Sequence, residues 1–310
     1  MARKDGSSSV WSSGGLWRGF WPSFSAPATI WLLLFFVLPF YVILSVAFGG
    51  LDQIFLTATP VYDPLHWSFG PFHTVVSALA TSQSIYQETF VRTLVYVGIA
   101  TVLSLVIGYP VAYFIARHAG RAKTFFLIAF IAPFWISYMM RMFAWVNLLQ
   151  PQGYVNRILE SVGILNEPRL WLNGKPSTVV MGLVYGYVPY MILPLYGMLD
   201  RIDRSTLEAA RDLGGSQTRT FLRVTLPLSR QAILAGCVIV ALPMFGDYFT
   251  QTLLASTRQT AMFGNLIVSS MDSSLVNQGA SLVIILIAVL SIPMLYYLRS
   301  TNAARELAER

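Results

Sequence analysis

Glu208-Ala209-Ala210-Arg211-Asp212-Leu213-Gly214, then nine residues, then Val224-Thr225-Leu226-Pro227, forms a charged stretch set between two long apolar segments. The contrast with its flanks decides the fold. On either side the chain runs for about 20 residues with few charges and without the period-2 alternation of a barrel strand. Backbone groups in lipid are satisfied only in helices or closed barrels, so these runs read as membrane-spanning helices. The stretch itself is charged yet helix-friendly. Ser205 precedes Glu208 by three residues, which is capping-box spacing. Leu207, Ala210 and Leu213 fall near one helical face, and Gly214 suits a helix end. Pro227 marks a turn toward the next apolar run. The expectation is a short helix, a glycine turn and a second helix at a membrane surface.

Composition agrees with an all-α integral membrane protein. The 310 residues are 55% hydrophobic and 11% charged, with mean hydropathy +0.60. Soluble domains carry about a quarter charged residues, so this chain has too few to cover a water-facing surface. Six transmembrane helices are expected, at residues 28–48, 90–116, 123–149, 177–199, 232–254 and 280–298. At ~1.5 Å per residue each reaches across a ~30 Å hydrocarbon core. Pro39, Pro110, Pro133, Pro189, Pro194, Pro243 and Pro293 lie within them, and each removes a backbone hydrogen bond and favours a kink. The organisation is then a tail at 1–27, a membrane domain at 28–299 and a second tail at 300–310. The domain carries a long loop at 49–88 and the charged loop at 200–230.

Lys and Arg set the orientation. Arg3, Lys4 and Arg18 precede the first span, and Arg117, Arg121 and Lys123 lie between the second and third. Arg201, Arg204, Arg211, Arg219, Arg223 and Arg230 lie between the fourth and fifth, and Arg299, Arg305 and Arg310 follow the sixth. The opposite side holds Arg157, Arg169, Lys175 and Arg258. Both termini and the Glu208 loop are therefore expected in the cytoplasm of a multi-pass inner-membrane protein. Trp11, Trp17 and Trp21 suit the membrane interface. The first span is too long for a cleaved signal peptide. The 49–88 loop lacks Lys and Arg and carries Phe55, Tyr62, Trp67, Phe69 and Phe72; it reads either as a docking surface or as a cap on the bundle.

Several chemistries find no footing. The net charge of +7 follows the membrane asymmetry and implies no nucleic acid. Cys237, the single cysteine, sits in an apolar run, and His66, His73 and His118 are too dispersed for a metal or an acid–base pair. No catalytic constellation appears. Gly174-Lys175 is followed by Pro176, so it is not a phosphate loop.

Charge inside the spans is the remaining clue. A charged side chain at the bilayer centre costs at least ~2.5 kcal/mol, so it faces the bundle interior or a water-filled path. Arg141 and Asp247 are such residues. Counting ~1.5 Å per residue from Lys123 and Ala232 puts them about 27 Å and about 23 Å in, at similar depth. Asp247 lies beside Phe245 and Tyr248. A carboxylate with aromatic rings suits an ammonium, through charge pairing and cation–π contacts of ~0.5–2 kcal/mol. Phe134, Tyr138, Arg141 and Trp145 share one face of the third span, with Trp135 beside them. Two readings stay open: Asp247 pairs internally with Arg141, or it faces a substrate path while Arg141 is structural.

The pattern E-A-A, three residues, G, nine residues, V-x-L-P resembles the EAA loop of ABC importer permeases, with Val224 where isoleucine is frequent. The resemblance implies a type I ABC importer-like permease fold. It also implies an ATPase-coupling role for Glu208, Ala209, Ala210, Gly214, Leu226 and Pro227. Pro133-Phe134-Trp135-Ile136-Ser137, Arg141-Met142-Phe143-Ala144-Trp145, and the segment from Pro189 through Tyr196 into Leu199-Asp200-Arg201-Ile202-Asp203 resemble spermidine/putrescine permeases. Gly264-Asn265-Leu266-Ile267 and Gly279-Ala280-Ser281 do so too, whereas Ala255-Ser256 stands where Gly-Gly is common. The match is to the first of two permease subunits. It implies a heterodimer with a second permease, two ATP-binding subunits and an extracytoplasmic substrate-binding protein. ATP and Mg would sit on the partner ATPase, with no cofactor or metal on this chain and no catalysis by it. The substrate pathway would involve Asp247, Tyr248, Phe245, Tyr138 and Trp135. Rivals are an importer for iron(III), sulfate or opines and, without use for an EAA loop, an ion-gradient-driven secondary transporter.

Overall fold

The computed structural model describes residues 25–51, 58–273 and 275–308, with backbone alone beyond 301. The proposed interfacial tryptophans and most of the 1–27 tail lie outside the described residues.

Four helices are continuous, long and apolar enough to span a membrane: α1 (Ser25–Ala47), α3 (Ile85–Arg117), α7 (Pro176–Arg201) and α13 (Val276–Ala308). The third and fifth expected spans are broken. Residues 123–149 divide into α4 (Lys123–Ile131), a 3-10 turn at Ala132–Trp135, and α5 (Tyr138–Leu149), bent by 88°. Within the expected fifth span at 232–254, α10 (Arg230–Phe245) stops at Gly246 rather than running to residue 254, and it is preceded at a 61° bend by α9 (Gln217–Leu228), which lies in the expected charged loop. Six spans result if each bent pair counts as one. The depth count for Arg141 fails for the same reason: beyond the bend, residues no longer advance along one axis.

Proline alone did not place these breaks. Pro110, Pro189, Pro194 and Pro293 sit inside unbroken helices, where neighbouring turns absorb the missing bond. The chain breaks beside Pro133 and Pro243, where Ile136–Ser137 turn to extended geometry and α10 ends at Gly246 before Asp247.

α3, α7 and α10 make the core. Met191 of α7 sits at their junction: a Cβ on Gly108 of α3 would come within 3.1 Å of its Cγ, and one on Gly236 of α10 within 2.6 Å of its Sδ. Lipid tails are as apolar as leucine, so such small-residue approach and close packing hold membrane helices together. α1 and the later part of α13 expose apolar faces to the surroundings. The helix α13 runs on past the expected boundary at residue 299 to Ala308.

The described part of the 49–88 segment packs on the bundle and leaves Tyr62, Leu65 and Phe69 exposed. Strands β1 (Gly50–Leu51) and β2 (Ala58–Thr59) pair antiparallel, and α2 (Gly70–Ala80) follows. Phe48 stacks on Trp67 and touches Phe69 and Phe72, while Asn277 of α13 donates to the carbonyls of Gly49 and Gly50 at 3.0 Å. Phe55 lies outside the described residues. Connecting helices α6 (Tyr154–Ser161), α8 (Arg204–Asp212), α11 (Phe249–Leu254) and α12 (Phe263–Met271) complete the chain.

Candidate functional site

Asp247 sits in the break between α10 and α11, and its side chain makes that break a structured one. Oδ1 accepts the backbone N–H of Thr250 at 3.0 Å, from just ahead of the first turn of α11. Oδ2 accepts three hydroxyls: Thr250 at 2.7 Å, Tyr138 at 2.7 Å and Tyr187 at 3.3 Å. The residue is 6% exposed. A carboxylate offers about four lone-pair sites, so this one is satisfied without a countercharge. Tyr138 begins α5, so one hydroxyl ties the end of one broken span to the break in the other, with Tyr187 of α7 between them.

Glycines create the room. Gly186 of α7 faces Tyr138: an added Cβ would lie 2.7 Å from Cε2 and 2.9 Å from the hydroxyl oxygen. One turn earlier, a Cβ on Gly182 would strike Leu254 Cδ1 at 2.5 Å and Thr250 Cγ2 at 2.6 Å. Gly264 of α12 approaches the break from the other side, where a Cβ would fall 2.6 Å from the Gly246 carbonyl oxygen. The Gly182–Gly186 spacing is the small-x-x-x-small signal of close helix contact and was readable in the sequence. Tyr187 and Thr250 carried no comparable signal, because nothing local assigns a tyrosine to a carboxylate 60 residues away.

Arg141 is not the partner of Asp247. Among the described residues the ion pairs are His66–Asp63 and Lys123–Asp200. The Arg141 guanidinium lies over the Phe134 ring at 4.1 Å and the Tyr138 ring at 5.3 Å. It is 6% exposed, and its Nε and Nη1 have no acceptor. The expected association of Phe134, Tyr138 and Arg141 survives, but across a bend rather than on one helical face. Trp145 instead meets Tyr185 edge-on at 5.2 Å.

The other aromatic candidates separate from the carboxylate. Phe245 is buried in the α3–α7–α10 core. The Tyr248 ring lies tilted against that of Phe249 at 4.1 Å, and its carbonyl accepts from Asn265. Trp135 is 80% exposed on the surface of the 3-10 turn. The rings that reach Asp247 are Tyr138 and Tyr187.

The charged loop folds as a helix, a glycine turn and a second helix. Asp203, not Ser205, occupies the N-cap of α8, and no side-chain cap forms. At the other end Gly214 has φ +82°, a left-handed conformation that glycine adopts without strain. Gly214 N–H donates to the Arg211 carbonyl at 2.8 Å and Gly215 N–H to that of Ala210 at 3.2 Å, the paired bonds of a Schellman end. This turn separates Leu213 from the face it was expected to share. Leu207 is buried, Ala210 is half-buried, and Leu213 is 90% exposed. Glu208 and Ala209 are also exposed. Beyond the turn, Phe221, Val224 and Leu226 pack on the core, Pro227 lies at the surface, and Ser229 at the bend bonds the Tyr109 hydroxyl at 2.9 Å. The loop is thus anchored at its far half and presents an apolar tip at its near half.

A multi-span helical bundle with broken helices around a buried carboxylate, and a charged helix–turn–helix packed against it, fits a membrane transport subunit. Residues 108–302 match the family described as the inner membrane component of binding-protein-dependent transport systems, and the chain belongs to that family. It is 31% identical over 280 residues to the spermidine/putrescine transport system permease protein PotB of Escherichia coli (strain K12), covering 90% of this chain and 97% of that one. The corresponding protein of Haemophilus influenzae is 33% identical over 239 residues, covering 77% of this chain and 79% of its own. In fold the chain is similar to a subunit of a bacterial alginate ABC transporter solved with an alginate pentasaccharide-bound periplasmic protein. That likeness has TM-score 0.70 and 17% identity over 91% of this chain and 93% of that one. The protein is a multi-pass membrane permease, a non-catalytic transport component.

Proposed function

We propose that the chain forms half of the translocation pathway of an ATP-driven importer of polyamines, spermidine or putrescine, pairing with a second, similar permease. The observation that carries this is the identity to PotB permeases along nearly the whole chain. Asp247 supports it as a buried carboxylate edged by tyrosine rings. An arriving ammonium needs one acceptor position freed. The Tyr187 contact, the longest of the four at 3.3 Å, yields first. The freed oxygen then pairs with the cation while the Tyr138 and Tyr187 rings offer their faces.

In this reading both termini and the Glu208 loop are cytoplasmic, as the arginine distribution requires. An extracytoplasmic binding protein delivers the substrate. Two ATPase subunits hold ATP and Mg and receive α8 with its exposed Leu213. Their closure on ATP displaces the loop, and the contacts of Phe221, Val224 and Leu226 pass that displacement to α10 and the Asp247 break.

The test is ATP-dependent uptake of labelled spermidine and putrescine into liposomes holding the whole complex, with native chain or Asp247→Asn. Uptake by the native complex and its loss in an assembled variant is the expected result. Equal uptake by both removes Asp247 from the pathway. Absence of polyamine uptake, with an ATPase still stimulated by the binding protein, refutes the substrate assignment. The unmet donors of Arg141 then direct the search to anionic ligands.

A further inference from the structure

A second polar site lies away from Asp247, where the end of α3 meets α8. A cavity of about 250 Å³ is lined there by Arg117, Arg204 and Arg211, with Tyr113, His118 and Gln217 completing a ring of hydrogen-bond donors. At ~30 Å³ per water it has room for about eight. Glu208 is the one acidic residue in its wall. Neither ion pair among the described residues involves the three arginines. Arg117 gives the site its direction: its Nε and Nη2 are buried and have no acceptor. Arg117 as a whole is half-buried and Arg204 and Arg211 are exposed, so these unmet donors and the two neighbouring guanidinium groups together suit an acceptor the chain does not supply.

We propose that this cavity binds a phosphate anion, with the guanidinium forks of Arg117, Arg204 and Arg211 around its oxygens. Three cations against one carboxylate leave a net charge that a phosphate offsets, and arginine pairs with phosphate oxygens two at a time. Two sources carry that chemistry, the headgroup of an anionic phospholipid and free phosphate. The surroundings suit a headgroup. Arg117 ends a membrane-spanning helix, and basic pockets at such depth hold anionic headgroups. His118 stacks on Phe114 at 6.0 Å, and Phe114 is 48% exposed, an apolar border fit for acyl chains. Leu207, on the buried side of α8, lines the cavity, whereas Leu213 at the tip does not. The site therefore does not depend on which ligand is transported.

The experiment uses the full chain in neutral detergent. Native mass spectrometry measures retention of phosphatidylglycerol against phosphatidylcholine, and equilibrium dialysis measures labelled inorganic phosphate. The expected result is one phosphate-bearing ligand per chain, weakened at least tenfold by Arg117→Gln or Arg204→Gln and partly restored by Arg117→Lys. Arg121→Gln, close to Arg117 in sequence but outside the cavity wall, leaves binding unchanged. Size-exclusion profiles and thermal melting of the same samples show whether each variant folds. Arginine-dependent retention of phosphatidylglycerol alone identifies a headgroup, and arginine-dependent binding of inorganic phosphate identifies a free anion. Absence of both, or binding indifferent to Arg117 and Arg204, overturns the proposal. So does a chain that binds neither probe but loses its ATPase in the assembled complex on Arg117→Gln, which would assign the cavity to docking.

Discussion

Gly186→Ala tests whether the Tyr138–Asp247 contact holds the two broken spans together. The new Cβ would lie 2.7 Å from Tyr138 Cε2. Ordinary carbon contacts are about 3.5–4.0 Å, so the ring must retreat by about 0.8 Å or more. Its hydroxyl is held 2.7 Å from Asp247 Oδ2. A retreat of that size takes the contact to about 3.5 Å, beyond hydrogen-bonding range. Hydrogen bonds between membrane helices are worth up to ~1.7 kcal/mol, and overpacking adds about 1 kcal/mol, so a loss of about 2–3 kcal/mol is expected. Alanine's better helix propensity returns a few tenths of that. Reversible unfolding in mixed micelles measures the cost, and a double-mutant cycle with Tyr138→Ala assigns it. With the ring gone, Gly186→Ala should cost under about 0.5 kcal/mol. Equal cost with and without the Tyr138 ring would refute the reasoning, because the clash would then not act through Tyr138.

The remaining predictions concern the same two sites. Asp247→Asn keeps an oxygen for the Thr250 N–H but presents an NH₂ group to hydroxyl donors; we expect a loss of about 1–3 kcal/mol in the same unfolding assay. Leu213→Asp should weaken copurification of the ATPase at least tenfold with the melting temperature of the permease unchanged, since burying a leucine is worth ~1.5–3 kcal/mol and this one is free on the isolated chain. Unchanged ATPase retention would remove the tip from the docking surface. Gly214→Asp places a side chain at φ +82° and should cost about 1–2 kcal/mol locally and uncouple ATP hydrolysis from uptake, as should Glu208→Lys by reversing a charge on the docking helix. Normal ATP-driven uptake in either variant counts against that assignment.

The sequence by itself determined the membrane class, the number of apolar segments and the helix–glycine–helix form of the charged loop. Each rests on local information: apolar length, charge asymmetry and a residue suited to left-handed geometry at Gly214. Local reading failed where a distant neighbour decides. Leu213 looked like part of a buried face by spacing, but the turn at Gly214 ends the helix before that spacing applies. Pro133 and Pro189 look alike in sequence, yet only the first lies beside a break, because Tyr138 beyond it is held by Asp247 and by the space over Gly186. Whether Asp247 met a cation or hydroxyls was likewise open in one dimension. Its valences are filled by Tyr138, Tyr187 and Thr250, brought together by α5, α7 and α11. Arg141, at a depth that sequence counting made similar, is turned onto aromatic rings beside the 88° bend. A buried charge takes whichever partners the packed helices bring within about 3 Å, and that choice is made by tertiary contact alone.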